Sequence, residues 1–179
     1  MVNTMFMGTS LRHNRLVADI YRRLANYLEE LIYDEKVLIS LEQLALCYYG
    51  TYRELETARL IDARNFTTND LEIINDFSTI QPDIMIFKNN PWISNKRNTR
   101  YIGQPDLIVE VWSDTNDIYH QSFKKNLYSS SPVTEHWYMS QDSNKVECRL
   151  GKELLPYQSL ENILITQDGV KIDLRRLKL

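Results

Sequence analysis

The tripeptide Gln-Pro-Asp occurs twice, at residues 81–83 and 104–106, and each copy runs straight into an apolar segment, Ile84-Met85-Ile86-Phe87 in the first case and Leu107-Ile108-Val109-Glu110-Val111-Trp112 in the second. Apolar runs without alternation predict strands covered on both faces. An ionised glutamate inside such a strand is costly to desolvate unless a cation or several donors meet it. Glu110 therefore predicts a partner.

If the two strands are antiparallel neighbours joined by residues 89–104, pairing Lys88 with Pro105 sets Asp83 directly opposite Glu110. Opposed residues share a face, with Cβ atoms roughly 4.5–5.5 Å apart. Two carboxylates that close repel one another, and a divalent cation taking oxygen ligands would account for them. Asp106 shares the face of Glu110 but lies about 13 Å away at about 3.3 Å per residue, too far to share one ion. Spacing alone also fits two ordinary strand-end acids on a solvated face.

The chain has 179 residues, which suits a single domain over 1–179 with a real core. A net charge of −3 gives no global attraction to nucleic acid or to an anionic membrane, so contact with either requires a local patch. No apolar stretch approaches the roughly 20 residues of a membrane helix. Cys47 and Cys148 lack metal-type or redox spacing, and the opening residues carry no signal-peptide pattern, so reduced thiols and a cytoplasmic location are expected.

Leu16, Ile20, Leu24, Leu28 and Leu31 recur at helical spacing and predict a helix over 10–32 with Ser10 as N-cap. His13 in its first turn is expected to cap or pack. Val37-Leu38-Ile39 predicts a short strand. Over 41–75, Leu41, Leu44, Tyr48, Leu55, Ala58 and Ile61 permit one or two amphipathic helices interrupted near Gly50. Residues 88–101 read as a loop that holds Lys88, Lys96, Arg97 and Arg100 with Trp92 and Tyr101 and no acid, a mixture suited to phosphate and base contacts or to plain solvated surface. Residues 114–117 predict a turn and cap, 120–128 a helix, 135–139 and 145–150 two strands joined by a polar turn, and 163–179 a strand and a short amphipathic end.

The ordered set Gly8-x-Ser10-x-x-His13, Pro82-Asp83, Pro105-Asp106-Leu107-x-x-Glu110-Val111-x-Ser113, Asp117, Lys124-x-x-x-Tyr128 and Glu135-x-Trp137 resembles the bacterial Uma family, described as restriction endonucleases within the PD-(D/E)XK superfamily. The likeness covers roughly 8–150. It implies an α/β (α+β) fold with a restriction-endonuclease-like core, a mixed sheet flanked by helices. It also implies that Asp83 and Glu110 are the two catalytic acids. The lysine expected two residues after the second acid is replaced by Trp112, and the family pattern moves that role to Lys124 on the following helix.

These readings combine into an expected Mg²⁺- or Mn²⁺-dependent endonuclease acting on DNA. Asp83, Glu110 and the Val111 carbonyl would hold the ion, and Lys124 would orient the attacking water or stabilise the phosphorane. Carboxylate ligands without a cysteine or histidine pair favour these ions over zinc. Lys96, Arg97, Arg100 and Lys125 are the candidate nucleic-acid contacts, and His13 and Tyr128 the supporting residues. Lys125 should turn about 100° away from Lys124, and Tyr128 should lie beneath the lysine stem. A homodimer would suit duplex cleavage by a domain with one site. The alternatives are a catalytically silent nucleic-acid-binding or interaction module on the same fold, and a structural protein in which Glu110 is satisfied by a buried arginine.

Overall fold

The structure is a computed structural model and describes residues 10–29, 38–41, 46–49, 78–88, 92–94, 100–113, 117–130, 134–141, 145–156, 158–159, 163–165 and 171–173. Helix α1 spans Leu11–Tyr27. Its start follows from Ser10, whose hydroxyl accepts the His13 backbone N–H and replaces one missing helical bond. Residues 30–32 and Leu31, expected to continue it, lie outside the described residues. Helix α2 spans Ile118–Tyr128 and is capped in the same way by Asp117, which accepts from the Tyr119 N–H.

The main sheet contains β1 (Leu38–Leu41), β4 (Ile84–Phe87), β7 (Leu107–Trp112), β8 (Glu135–Ser140), β9 (Lys145–Leu150) and β10 (Glu153–Leu154) in that spatial order, and β11 (Gln158–Ser159) also pairs with β9. Within this sheet only β7 and β8 run parallel. They are linked through α2, as parallel neighbours require a crossover. A second sheet has the order β3 (Ser78–Ile80), β2 (Leu46–Tyr49), β6 (Arg100–Gly103), β5 (Trp92–Ser94), and β12 (Ile163–Ile165) pairs with β13 (Lys171–Asp173).

Because side chains alternate along a strand, each face of the main sheet has its own core. Ile84, Ile86, Leu107, Val109, Val111, Trp137, Met139, Val146 and Cys148 meet Leu16, Ile20, Leu24 and Leu28 of α1. On the opposite face Met85, Phe87, Ile108 and Tyr138 meet Tyr128 of α2, with Trp112 and Leu127 beside them. Each aliphatic side chain fully removed from water contributes about 1.5–3 kcal/mol, so the helices are held to the sheet mainly by these stripes. No described helix is long and apolar enough to cross a membrane.

Two expectations are corrected. Leu41 and Tyr48, read as helical, lie in β1 and β2, and residues 46–49 of β2 run between two partner strands. A short apolar run fits either period, and sheet pairing decided it. The basic segment is not one loop: β5 and β6 form an antiparallel pair within it, and Arg100 opens β6. Lys96 and Arg97 lie outside the described residues, as do Leu44, residues 50–75 and 174–179.

Candidate active site

Strands β4 and β7 pair antiparallel with Ile84 opposite Val109 and Ile86 opposite Leu107. One step further, the register sets Asp83 opposite Glu110, as the Lys88–Pro105 alignment requires. Both acids are buried, at 4% and 2% exposure. Burial of two adjacent carboxylates demands donors, and four are in place. Asp83 Oδ2 accepts the Val111 backbone N–H at 2.5 Å, and Asp83 Oδ1 lies 3.1 Å from His13 Nε2. An ionised carboxylate can only accept, so that nitrogen carries the proton. Glu110 Oε1 accepts the Tyr128 hydroxyl at 2.5 Å, and Glu110 Oε2 accepts Lys124 Nζ at 2.8 Å.

Each partner is delivered by a separate element. His13 comes from the first turn of α1, which Ser10 places near the end of β8 by donating to Gln141 Oε1 at 3.3 Å. Lys124 and Tyr128 come from one face of α2, one turn apart. Burial raises the Glu110 carboxyl above its ordinary range. The Lys124 ammonium opposes that rise and the neighbouring Asp83 charge adds to it, while hydrogen bonds from Lys124 and Tyr128 work to lower it.

The structure brings together His13, Asp83, Glu110, Val111, Lys124 and Tyr128, all read as site candidates from the sequence. Two placements differ from expectation: His13 reaches Asp83 and leaves capping to Ser10, and Tyr128 holds Glu110 directly. The Val111 N–H bonds Asp83. Lys125 does turn away from Lys124, but toward the protein: its Nζ is 2.8 Å from Glu147 Oε2 and lies 5.2 and 4.9 Å from the ring centroids of Trp112 and Tyr138. Those rings stack with centroids 4.6 Å apart, and Arg149 Nε donates to Glu147 Oε1 at 2.6 Å. Nothing in the sequence signals this cluster, because Lys125 and Glu147 are joined only by the sheet.

A second polar group, missed in the sequence, lies on the same sheet face. His136 Nε2 is 2.9 Å from the Gly151 carbonyl and Nδ1 is 2.6 Å from the Tyr138 hydroxyl. The carbonyl can only accept, so Nε2 carries the proton and Nδ1 accepts from Tyr138. Burial lowers the His136 pKa to about 4 and keeps the ring neutral. Glu135 and Trp137 serve each other, the indole N–H donating to Glu135 Oε1 at 2.6 Å.

Among the described residues, no three His, Cys, Asp or Glu side chains form a ready-made metal cage. The donor set still suits a hard divalent ion. Two buried carboxyl groups lie side by side, and each of their oxygens has a second lone pair beyond the hydrogen bond it accepts. Mg²⁺ commonly takes only one or two carboxylates, completing its shell with water and substrate phosphate.

An α+β fold with a mixed sheet, helices packed on its two faces and paired acids at one strand end has the restriction-endonuclease-like architecture. Residues 53–177 match the Uma2 family, described as "Putative restriction endonuclease", and the chain belongs to that family. The matched stretch begins after α1 and runs beyond the last motif that carried the resemblance. A solved structure from Anabaena variabilis, described as "a putative nuclease belonging to DUF820", is similar in fold with a TM-score of 0.57 at 12% identity, covering 90% of this chain and 75% of that one. No curated protein matches.

Proposed function

We propose that this chain is a metal-dependent endonuclease that hydrolyses DNA phosphodiester bonds. The observation that carries the reading is the buried Asp83–Glu110 pair with Lys124 Nζ 2.8 Å from Glu110. Asp83, Glu110 and the Val111 carbonyl would hold Mg²⁺ or Mn²⁺. Such an ion, when bound, polarises the phosphate and lowers the pKa of a water ligand. Asp83 is kept in orientation by Val111 and His13, and Glu110 by Tyr128. Lys124, whose ammonium pairs with Glu110, would orient the attacking water or stabilise the charge of the phosphorane.

The test is titration calorimetry with Mg²⁺ and Mn²⁺ on the native chain and on Glu110→Gln, together with plasmid cleavage. Binding and cleavage are expected for the native chain, with both lost in the variant. Intact plasmid after long incubation with either ion, and no heat that depends on Glu110, would overturn the reading.

One feature favours the second reading, a silent binding module: each oxygen of both acids already accepts a hydrogen bond from within the protein, so the cluster is satisfied as it stands. Under that reading DNA binds without metal and is never cut.

A further inference from the structure

Lys124 and Tyr128 stand one turn apart on α2 and both reach Glu110, and one turn ahead of Lys124 the same row holds His120. Side chains four apart are neighbours on a helix, with Cβ atoms about 5–6 Å from one another. The three differ in their access to water. Tyr128 is fully buried, the Lys124 side chain is 16% exposed and His120 is exposed. The row therefore climbs from the buried acid pair to the surface, and His120 is its outer end.

Asp83 and Glu110 are themselves almost inaccessible, so a phosphodiester has to approach them over side chains that are open to solvent. A polymer with one phosphate at the pair lays its neighbouring phosphates on the adjoining surface. Along α2 the inward direction is closed by Tyr128, and the outward direction passes His120. Partial burial and then the Lys124 ammonium push the His120 imidazole below its ordinary range, while Asp117 works the other way. A neutral imidazole carries one N–H donor, and among the described residues no hydrogen bond occupies the His120 ring. Donors to phosphate oxygens fix the register of a nucleic acid without reading its sequence.

We infer that His120 is a substrate-contacting residue, whose ring N–H binds a backbone phosphate next to the scissile one and sets the register of the strand over the acid pair. The position of the cut rests on the nuclease reading, whereas the phosphate contact does not require cleavage.

The native full chain and the variants His120→Ala, His120→Asn and His120→Gln are titrated into a short fluorescently labelled DNA, as single strand and as duplex, with Ca²⁺ in place of Mg²⁺. The alanine variant should bind about tenfold more weakly or worse, the effect of losing one hydrogen bond to a charged group. The amide nitrogens of Asn and Gln stand near the places of the two ring nitrogens, so one of these variants should recover most of the affinity. Mg²⁺ binding, read by calorimetry, should be equal in all four proteins. With Mg²⁺ present, the loss in the alanine variant should appear in KM rather than kcat. No DNA binding by the native chain, unchanged binding by the alanine variant, failure of both amides to recover it, or a loss confined to kcat overturns the inference. Failure of the nuclease reading shows separately, as a native chain that never cuts DNA while the alanine variant still binds it more weakly.

Discussion

The two ends of the β4–β7 pair use one backbone device for different ends. Asp83, just ahead of β4, accepts the Val111 N–H near the end of β7, and Asp106, just ahead of β7, accepts the Lys88 N–H just past β4 at 2.7 Å. Each Gln-Pro-Asp thus ties the start of its own strand to the end of the other. The difference lies in the residue opposite. Continuing the register, Asp83 faces Glu110, whereas Asp106 faces Phe87, which is fully buried. A phenyl ring leaves the aspartate as an anchor. A second carboxylate, reached by His13, Lys124 and Tyr128, turns the same anchor into a candidate metal site.

The largest effect should come from exchanging the charge at each end in turn. Asp83→Asn keeps an acceptor for the Val111 N–H and removes one of two like charges, so it should abolish Mg²⁺ binding and cleavage while leaving stability level or slightly higher. Asp106→Asn should leave ion binding untouched and cost at most about 1 kcal/mol by weakening one hydrogen bond. Calorimetry and urea denaturation on the two variants check both halves. Ion binding that falls equally in both would erase the distinction between site and anchor.

A smaller effect concerns acid. His136 pairs in register with Ile108, toward the Asp106 end, and has a pKa of about 4 against an ordinary 6.5, first because of burial. Between those values the unfolded chain takes up a proton that the native chain refuses. Stability is therefore full above about pH 6.5 and falls as the pH drops toward about 4, with a limiting slope of about 1.4 kcal/mol per pH unit. Relative to His136→Gln, which cannot titrate, the native chain should lose about 1.5 kcal/mol between about pH 6.5 and about pH 5. Parallel stability curves would show that the histidine titrates normally in the fold. The comparison with the variant removes the contribution of Glu110, whose raised pKa acts with the opposite sign.

Much of this framework was legible in the sequence. The register assumed for the two apolar runs is the one the strands have, Ser10 marked the start of α1, and the turn-and-cap reading of 114–117 holds the actual cap, Asp117, although α2 begins at Ile118, two residues before the expected start. The acid pair was legible because a charge inside a doubly covered strand has few acceptable explanations. What stayed hidden depends on long-range geometry. Residues 46–49 became a strand only because β3 and β6 flank them, and the pairing of Tyr128 with Glu110 or of Lys125 with Glu147 depends on how α2 lies on the sheet. His136 looked like a strand residue; its hydrogen bond to Gly151, a glycine with φ 53°, becomes visible only once β9 has turned back.

The last comparison separates the adjacent lysines of α2. Lys124 is 16% exposed and meets a nearly inaccessible carboxylate, whereas Lys125 and Glu147 are each about a third exposed. A half-exposed ion pair is worth about 0–1 kcal/mol, and seating an ammonium against the Trp112 and Tyr138 rings adds about as much. Lys125→Ala should therefore lower stability by roughly 1 kcal/mol and leave cleavage within a few-fold. Lys124→Ala should reduce metal-dependent cleavage by about 100-fold or more while Mg²⁺ still binds, since one donor aimed at developing charge is commonly worth that much. Measured side by side on a plasmid substrate, the reverse ranking would move the catalytic role to Lys125 and make the Trp112–Tyr138 stack its support, with Asp83 and Glu110 unaffected.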